Sequence, residues 1–157
     1  MSERSVKHVT SPDSLVGGGY NNTASDAHAT VGGGYENTAS QDYATVGGGD
    51  TNMASALGST VGGGRDNTAS GDYSTVGGGC SNTAIGIYST VGGGGDNAAG
   101  GGDYTGGGGG TNTGQGRGGS GGAGGDTEAT GGGIVTCGLR HARATYWSSL
   151  PGCAMHW

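Results

Sequence analysis

The chain has 157 residues, of which 43 are glycine and none is phenylalanine, and only 30% of it is apolar, which excludes a conventional hydrophobic core in a domain of this length. A net charge of −6 carried on 11% charged residues excludes the basic patch that a nucleic-acid or anionic-membrane partner would require. Three cysteines, Cys80, Cys137 and Cys153, do not make a disulfide framework.

Residues 1–15 are polar and read as a lead-in, with Ser11-Pro12-Asp13-Ser14 as a turn signal. The opening residues lack the apolar run of a signal peptide, and no later stretch is long and apolar enough for a membrane span, so no membrane insertion is expected.

Residues 16–105 are an internal repeat. Val16, Val31, Val46, Val61, Val76 and Val91 each open a Gly-Gly-Gly at a fixed spacing of fifteen. Asn22, Asn37, Asn52, Asn67, Asn82, Asn97 and Asn112 keep the same register, as do Thr30, Thr45, Thr60, Thr75 and Thr90. A short period of this kind predicts stacked, solenoid-like units. Each unit reads as two short strands, one centred on Tyr73-Ser74-Thr75-Val76 and one on Asn67-Thr68-Ala69-Ser70. The turns fall at Gly62-Gly63-Gly64 and Gly71-Asp72, because glycine reaches positive φ without a steric cost.

Alternation along a strand assigns the faces. The valine column, the Ala24/Ala39/Ala54/Ala69/Ala84/Ala99 column and the Ala29/Ala44/Ser59/Ser74/Ser89 column are expected inside. Tyr43, Tyr73 and Tyr88, with the threonine columns, are expected outside. The expected fold is all-β, a parallel β-solenoid or β-roll with identical residues stacked about 4.8 Å apart and asparagine ladders along the stack. So few apolar groups leave a lone rod marginal, and small faces allow several rods to pack closely, which argues for an oligomer.

Regularity fails after Val91. Residues 106–133 are more than half glycine and read either as worn repeats or as a flexible linker. Residues 134–157 differ abruptly in composition, hold both tryptophans and have no clear period, which marks them as a non-repeat tail foreign to the repeat protein.

The units Val31-Gly-Gly-Gly-Tyr-Glu-Asn-Thr-Ala-Ser-Gln-Asp-Tyr-Ala-Thr45 and Val61-Gly-Gly-Gly-Arg-Asp-Asn-Thr-Ala-Ser-Gly-Asp-Tyr-Ser-Thr75 resemble head repeats of trimeric autotransporter adhesins. They are still more similar to the related repeats of phage tail-fibre and tail-spike proteins that precede a self-cleaving chaperone domain, the chaperone associated with endosialidases. The resemblance covers residues 16 to about 105. It implies a left-handed parallel β-roll, a homotrimer with three chains intertwined on one axis, and an adhesive or spacer rod on a virion or a bacterial cell surface. Family rungs carry more aliphatic residues than the single valine here, and no coiled-coil stalk, anchor barrel or chaperone domain is seen. The resemblance therefore implies a truncated or incomplete member.

Other motifs have plainer readings. The triple glycines lack the Lys-Ser/Thr and following helix of a phosphate loop. Gly92 to Asn97 has a faint likeness to calcium-binding nonapeptides, but the aspartates keep no nine-residue period. Cys137/His141 and Cys153/His156 have zinc-ligand residue types without a core to position them. No acid–base pair or nucleophilic set is defensible, so neither an enzyme nor a cofactor is expected.

Three functional expectations follow. The first is a rod that displays Tyr20, Tyr35, Tyr43, Tyr73 and Tyr88 to a host-surface receptor, a glycan or a matrix protein, where repetition raises avidity. The second is an ice-binding solenoid using hydroxyl ladders such as Thr23/Ser25, Thr38/Ser40 and Thr68/Ser70. The third is a fragment without activity, largely disordered alone.

Overall fold

A computed structural model describes residues 7–101 in full and, beyond them, the backbone of five short strands. The protein is an all-β parallel solenoid with a fifteen-residue rung. One sheet stacks Lys7–Val9, Asn22–Ala24, Thr38–Ala39, Met53–Ala54, Thr68–Ala69, Thr83–Ala84 and Ala98–Ala99. The other stacks Leu15–Val16, Thr30–Val31, Thr45–Val46, Thr60–Val61, Thr75–Val76 and Thr90–Val91. Every pair is parallel and in register, with Thr75 against Thr60 and Val76 against Val61. Asn112–Gln115, Thr127–Thr130 and Ala142–Ala144 extend the first sheet, and Thr105–Gly106 and Ser120–Gly121 the second. The expectations for 106–133 and for the tail otherwise fall outside the described residues.

Each rung has a third ladder that the sequence reading did not contain. Single-residue bridges join Tyr20, Tyr35, Asp50, Arg65, Cys80 and Gly95 in a column. Arg65 N–H donates to Gly79 O at 2.9 Å, and Asp66 N–H donates back to Asp50 O at 3.0 Å. The rung thus has three hydrogen-bonded sides, which closes it around a narrow interior.

The strands are shorter than expected, and Tyr73 does not belong to one. Tyr73 has φ 57°, Tyr43 has φ 58° and Tyr88 has φ 59°, all in the left-handed region. The turn takes this residue because Ser74 N–H closes back onto Gly71 O at 3.0 Å, while Tyr73 N–H reaches Leu57 O in the preceding rung at 2.8 Å. The tyrosine is still exposed, but because it sits on a turn rather than on an alternating strand.

The interior is built from very small pieces. Val31, Val46, Val61, Val76 and Val91 are fully buried, Val16 nearly so, and the Ala24-to-Ala99 column is enclosed throughout. Ala29, Ala44, Ser59, Ser74 and Ser89 fill the remaining corner. The described chain alone encloses these columns.

The glycines do more than turn the chain. A Cβ on Gly62 would lie 2.4 Å from Gly77 O, and one on Gly64 would lie 2.1 Å from Gly79 O. Gly64 also has φ +91°. Adjacent rungs approach so closely that the first and third positions of the triplet admit only glycine. This accounts for the missing aliphatics: backbone of the next rung occupies the space they would need. The middle position differs, since a Cβ on Gly63 would meet nothing nearer than Gly48 O at 3.7 Å.

Candidate functional site

The side chains that could meet a partner lie on the two corners flanking the Thr-Ala sheet. At the first corner Tyr20 and Tyr35 stack with ring centroids 5.4 Å apart and planes inclined by 12°. Below them the column continues with Asp50, Arg65 and Cys80. The second corner carries His28, Tyr43, Gly58, Tyr73 and Tyr88 at successive rungs. His28 stacks on Tyr43 at 4.8 Å, and Tyr73 stacks on Tyr88 at 5.4 Å. The five tyrosines named in the sequence reading therefore fall into two groups, Tyr20 with Tyr35 and Tyr43 with Tyr73 and Tyr88, and all are exposed.

These rings stack because the strand pitch of about 4.8 Å is close to the spacing at which aromatic rings attract. The positions are costly, however. A non-glycine residue in the left-handed region costs about 1–2 kcal/mol, and Gly58 takes the same conformation, φ +60°, without that cost. Tyrosine stands there at three rungs nonetheless.

The first corner has its own electrostatics. The neighbouring Glu36 carboxylate, as acceptor for the Tyr35 hydroxyl proton and as a nearby negative charge, raises the tyrosine pKa above its usual value. Arg65 Nη2 donates to Cys80 Sγ at 3.3 Å, and Cys80 Sγ lies 3.5 Å from Ser81 Oγ. The Ser81 contact first, and the Arg65 guanidinium second, hold the Cys80 thiol pKa below the ordinary range. Arg65 also pairs with Asp66 at 3.4 Å, with both side chains largely in water, where such a pair contributes little.

Sequence reasoning missed one exposed apolar pair. Ile85 and Ile87 are more than half exposed beside Tyr73 and Tyr88, although their place next to a tyrosine turn in a rung that elsewhere carries polar residues was a signal. Met53 is also exposed and interrupts the threonine column of the Thr-Ala sheet, between Thr38 and Thr68. By contrast, the column Thr30, Thr45, Thr60, Thr75 and Thr90 on the opposite sheet is unbroken.

Among the described residues no group of three or more His, Cys, Asp or Glu side chains could hold a metal ion, and no helix is long and apolar enough to cross a membrane. Cys137, His141, Cys153 and His156 lie outside the described residues. Asp96 and Asn97, from the calcium-like stretch, part company: Asp96 is in a turn and Asn97 is buried, donating its side-chain amide to Asn82 Oδ1 at 2.8 Å. Compared with known proteins, the chain matches no family model and no curated protein significantly.

Proposed function

We propose that the protein is a non-catalytic adhesive rod whose stacked tyrosine corners engage a host-surface receptor, a glycan or a matrix protein, in the manner of adhesin heads and phage tail fibres. The observation that carries this reading is the exposure of Tyr43, Tyr73 and Tyr88 in one column of turns, with Tyr43 stacked on His28 and Tyr73 on Tyr88. Here the backbone is rigid and each ring is presented at rung pitch, so one weak contact is repeated along the rod and avidity rises without new contacts.

In this reading three rods associate side by side through their glycine-rich faces, on a virion or a bacterial cell surface. Sedimentation equilibrium then gives a species of three chains of 14.9 kDa each; a monomer at all concentrations removes the trimer. Arrays of glycans and matrix proteins test the display itself. Tyr43→Ala with Tyr73→Ala should lower retention on the positive spots, and unchanged retention rejects the tyrosine corner as the contact.

The unbroken column Thr30 to Thr90 favours a second reading, ice binding through a hydroxyl ladder. Thermal hysteresis that vanishes in Thr60→Leu would support it.

A further inference from the structure

Among the described residues two pairs of tyrosines are stacked ring on ring. Tyr20 and Tyr35 lie with centroids 5.4 Å apart and planes inclined by 12°. Tyr73 and Tyr88 repeat the arrangement at the second corner, at 5.4 Å and 11°. Within each pair the partners are fifteen residues apart, which is one rung. The main chain holds both ends of each pair. Tyr20 N–H donates to Gly34 O and Tyr35 N–H to Gly49 O, each at 2.9 Å. Tyr73 N–H donates to Leu57 O at 2.8 Å, and Tyr88 N–H to Asp72 O at 2.9 Å. All four side chains are exposed, so a reagent in water reaches them. Tyr43 is exposed too, but its stacking partner is His28.

We infer that the two stacked pairs are sites of oxidative cross-linking, where a one-electron oxidant driven by hydrogen peroxide joins Tyr20 to Tyr35 and Tyr73 to Tyr88 as dityrosines. Each phenol gives up one electron and its hydroxyl proton. The unpaired spin of the resulting phenoxyl radical spreads onto the ring carbons beside the oxygen, Cε1 and Cε2. A carbon–carbon bond forms between one such carbon on each ring. The hydrogens on the joined carbons then move to the oxygens, which restores both hydroxyls. Each pair loses two hydrogen atoms in all, and one molecule of peroxide takes them up as two waters. Radicals in free solution must meet by diffusion. Here the second ring already lies beside the first on a fixed backbone, so coupling within the chain outruns coupling between chains. Exposed side chains rotate in picoseconds to nanoseconds, which lets two stacked rings tilt edge to edge without moving the rung. The bond closes a loop of fifteen residues and restrains the unfolded chain. It is a covalent staple between rungs, in a rod whose largest buried side chains are valine and asparagine.

Cross-linking needs no receptor and is read without one. The full chain, dilute and with its thiols alkylated so that they do not quench the radicals, is treated with a haem peroxidase and hydrogen peroxide. Arg65 lies between the two pairs, so trypsin places them in separate peptides, 8–65 and 66–117. Each peptide should carry dityrosine fluorescence and weigh two hydrogen atoms less than its untreated form. Tyr20→Phe should clear the first peptide and Tyr88→Phe the second; these exposed rings are not part of the interior, so the rod stays folded. Tyr43→Phe, which removes a phenol outside the stacked pairs, should change neither. The double variant Tyr20→Phe/Tyr88→Phe should lower the yield within the chain about tenfold or more. Undiminished coupling in the double variant overturns the pairing. Cross-linked dimers in place of internal bonds, persisting on dilution, overturn it as well. So does a treated chain without dityrosine in a mixture where free tyrosine couples.

Discussion

Asn67 and Asn52 lie one rung apart in the interior, and a single oxygen joins them twice: Asn52 Oδ1 accepts from the Asn67 backbone N–H at 3.1 Å and from Asn67 Nδ2 at 3.0 Å. The same Nδ2 group donates to Gly63 O and Gly79 O, each at 3.0 Å. Asn67 Oδ1 in turn accepts from Asn82. The column Asn22 to Asn97 is almost wholly buried. Each amide satisfies the glycine-turn carbonyls that the thin rung cannot pair elsewhere, so the polar column does the positional work that a larger apolar core does in other folds.

Replacing Asn67 with leucine therefore orphans buried groups in three rungs. At about 1–3 kcal/mol for each unsatisfied group, the loss should exceed about 3 kcal/mol. Asp66→Asn, on the exposed turn beside it, should change stability by less than about 0.5 kcal/mol. Denaturant melts of the two variants check the pair.

Ser74 and Ser89 present the opposite case. Their hydroxyl oxygens are buried and find no hydrogen-bond partner, whereas Ala29 and Ala44 occupy the same column without a hydroxyl. Ser59, in that column too, donates to Ala56 O at 2.8 Å and accepts from Ala56 N–H at 3.1 Å. Ser74→Ala should stabilise the rod by about 1 kcal/mol and Ser59→Ala should destabilise it by a similar amount. Thermal melts should move in opposite directions.

The glycine triplet separates steric need from tolerance. Gly64→Ala puts a methyl group against Gly79 O and a side chain at φ +91°, and should cost about 3 kcal/mol or more. Gly63→Ala makes only an ordinary contact with Gly48 O and should cost less than about 1 kcal/mol. Similar losses for both would mean that the rungs are not stacked in this register.

The fold was legible because its period is strict. Fifteen-residue spacing of Val61 and Val76 dictates parallel stacking, and alternation separates Ala69 from Thr68. Two things were less legible. Tyr73 was expected in a strand because the turn was placed at Gly71-Asp72, yet the turn extends one residue further, as the hydrogen bond of Ser74 N–H to Gly71 O sets its backbone. The column through Tyr20, Asp50, Arg65 and Cys80 has no shared side-chain character, since its pairing is carried by main chain alone.

Cys80 gives a chemical test of the first corner. Ser81 and Arg65 lower its thiol pKa, so a larger thiolate fraction exists at mildly alkaline pH than for a free cysteine. Ser81→Ala and Arg65→Gln each raise that pKa back, and alkylation of Cys80 at pH 7.5–8 or so should slow in both. Unchanged rates would place the side chains elsewhere.

The most direct test of the whole account is hydrogen exchange of the asparagine side-chain amides, followed by NMR. If the buried ladder holds the rod, the Nδ2 protons of Asn52, Asn67 and Asn82 should exchange as slowly as the backbone N–H groups of Thr60 and Thr75, through global unfolding alone. Fast exchange of these side-chain protons, with the backbone still protected, would contradict it.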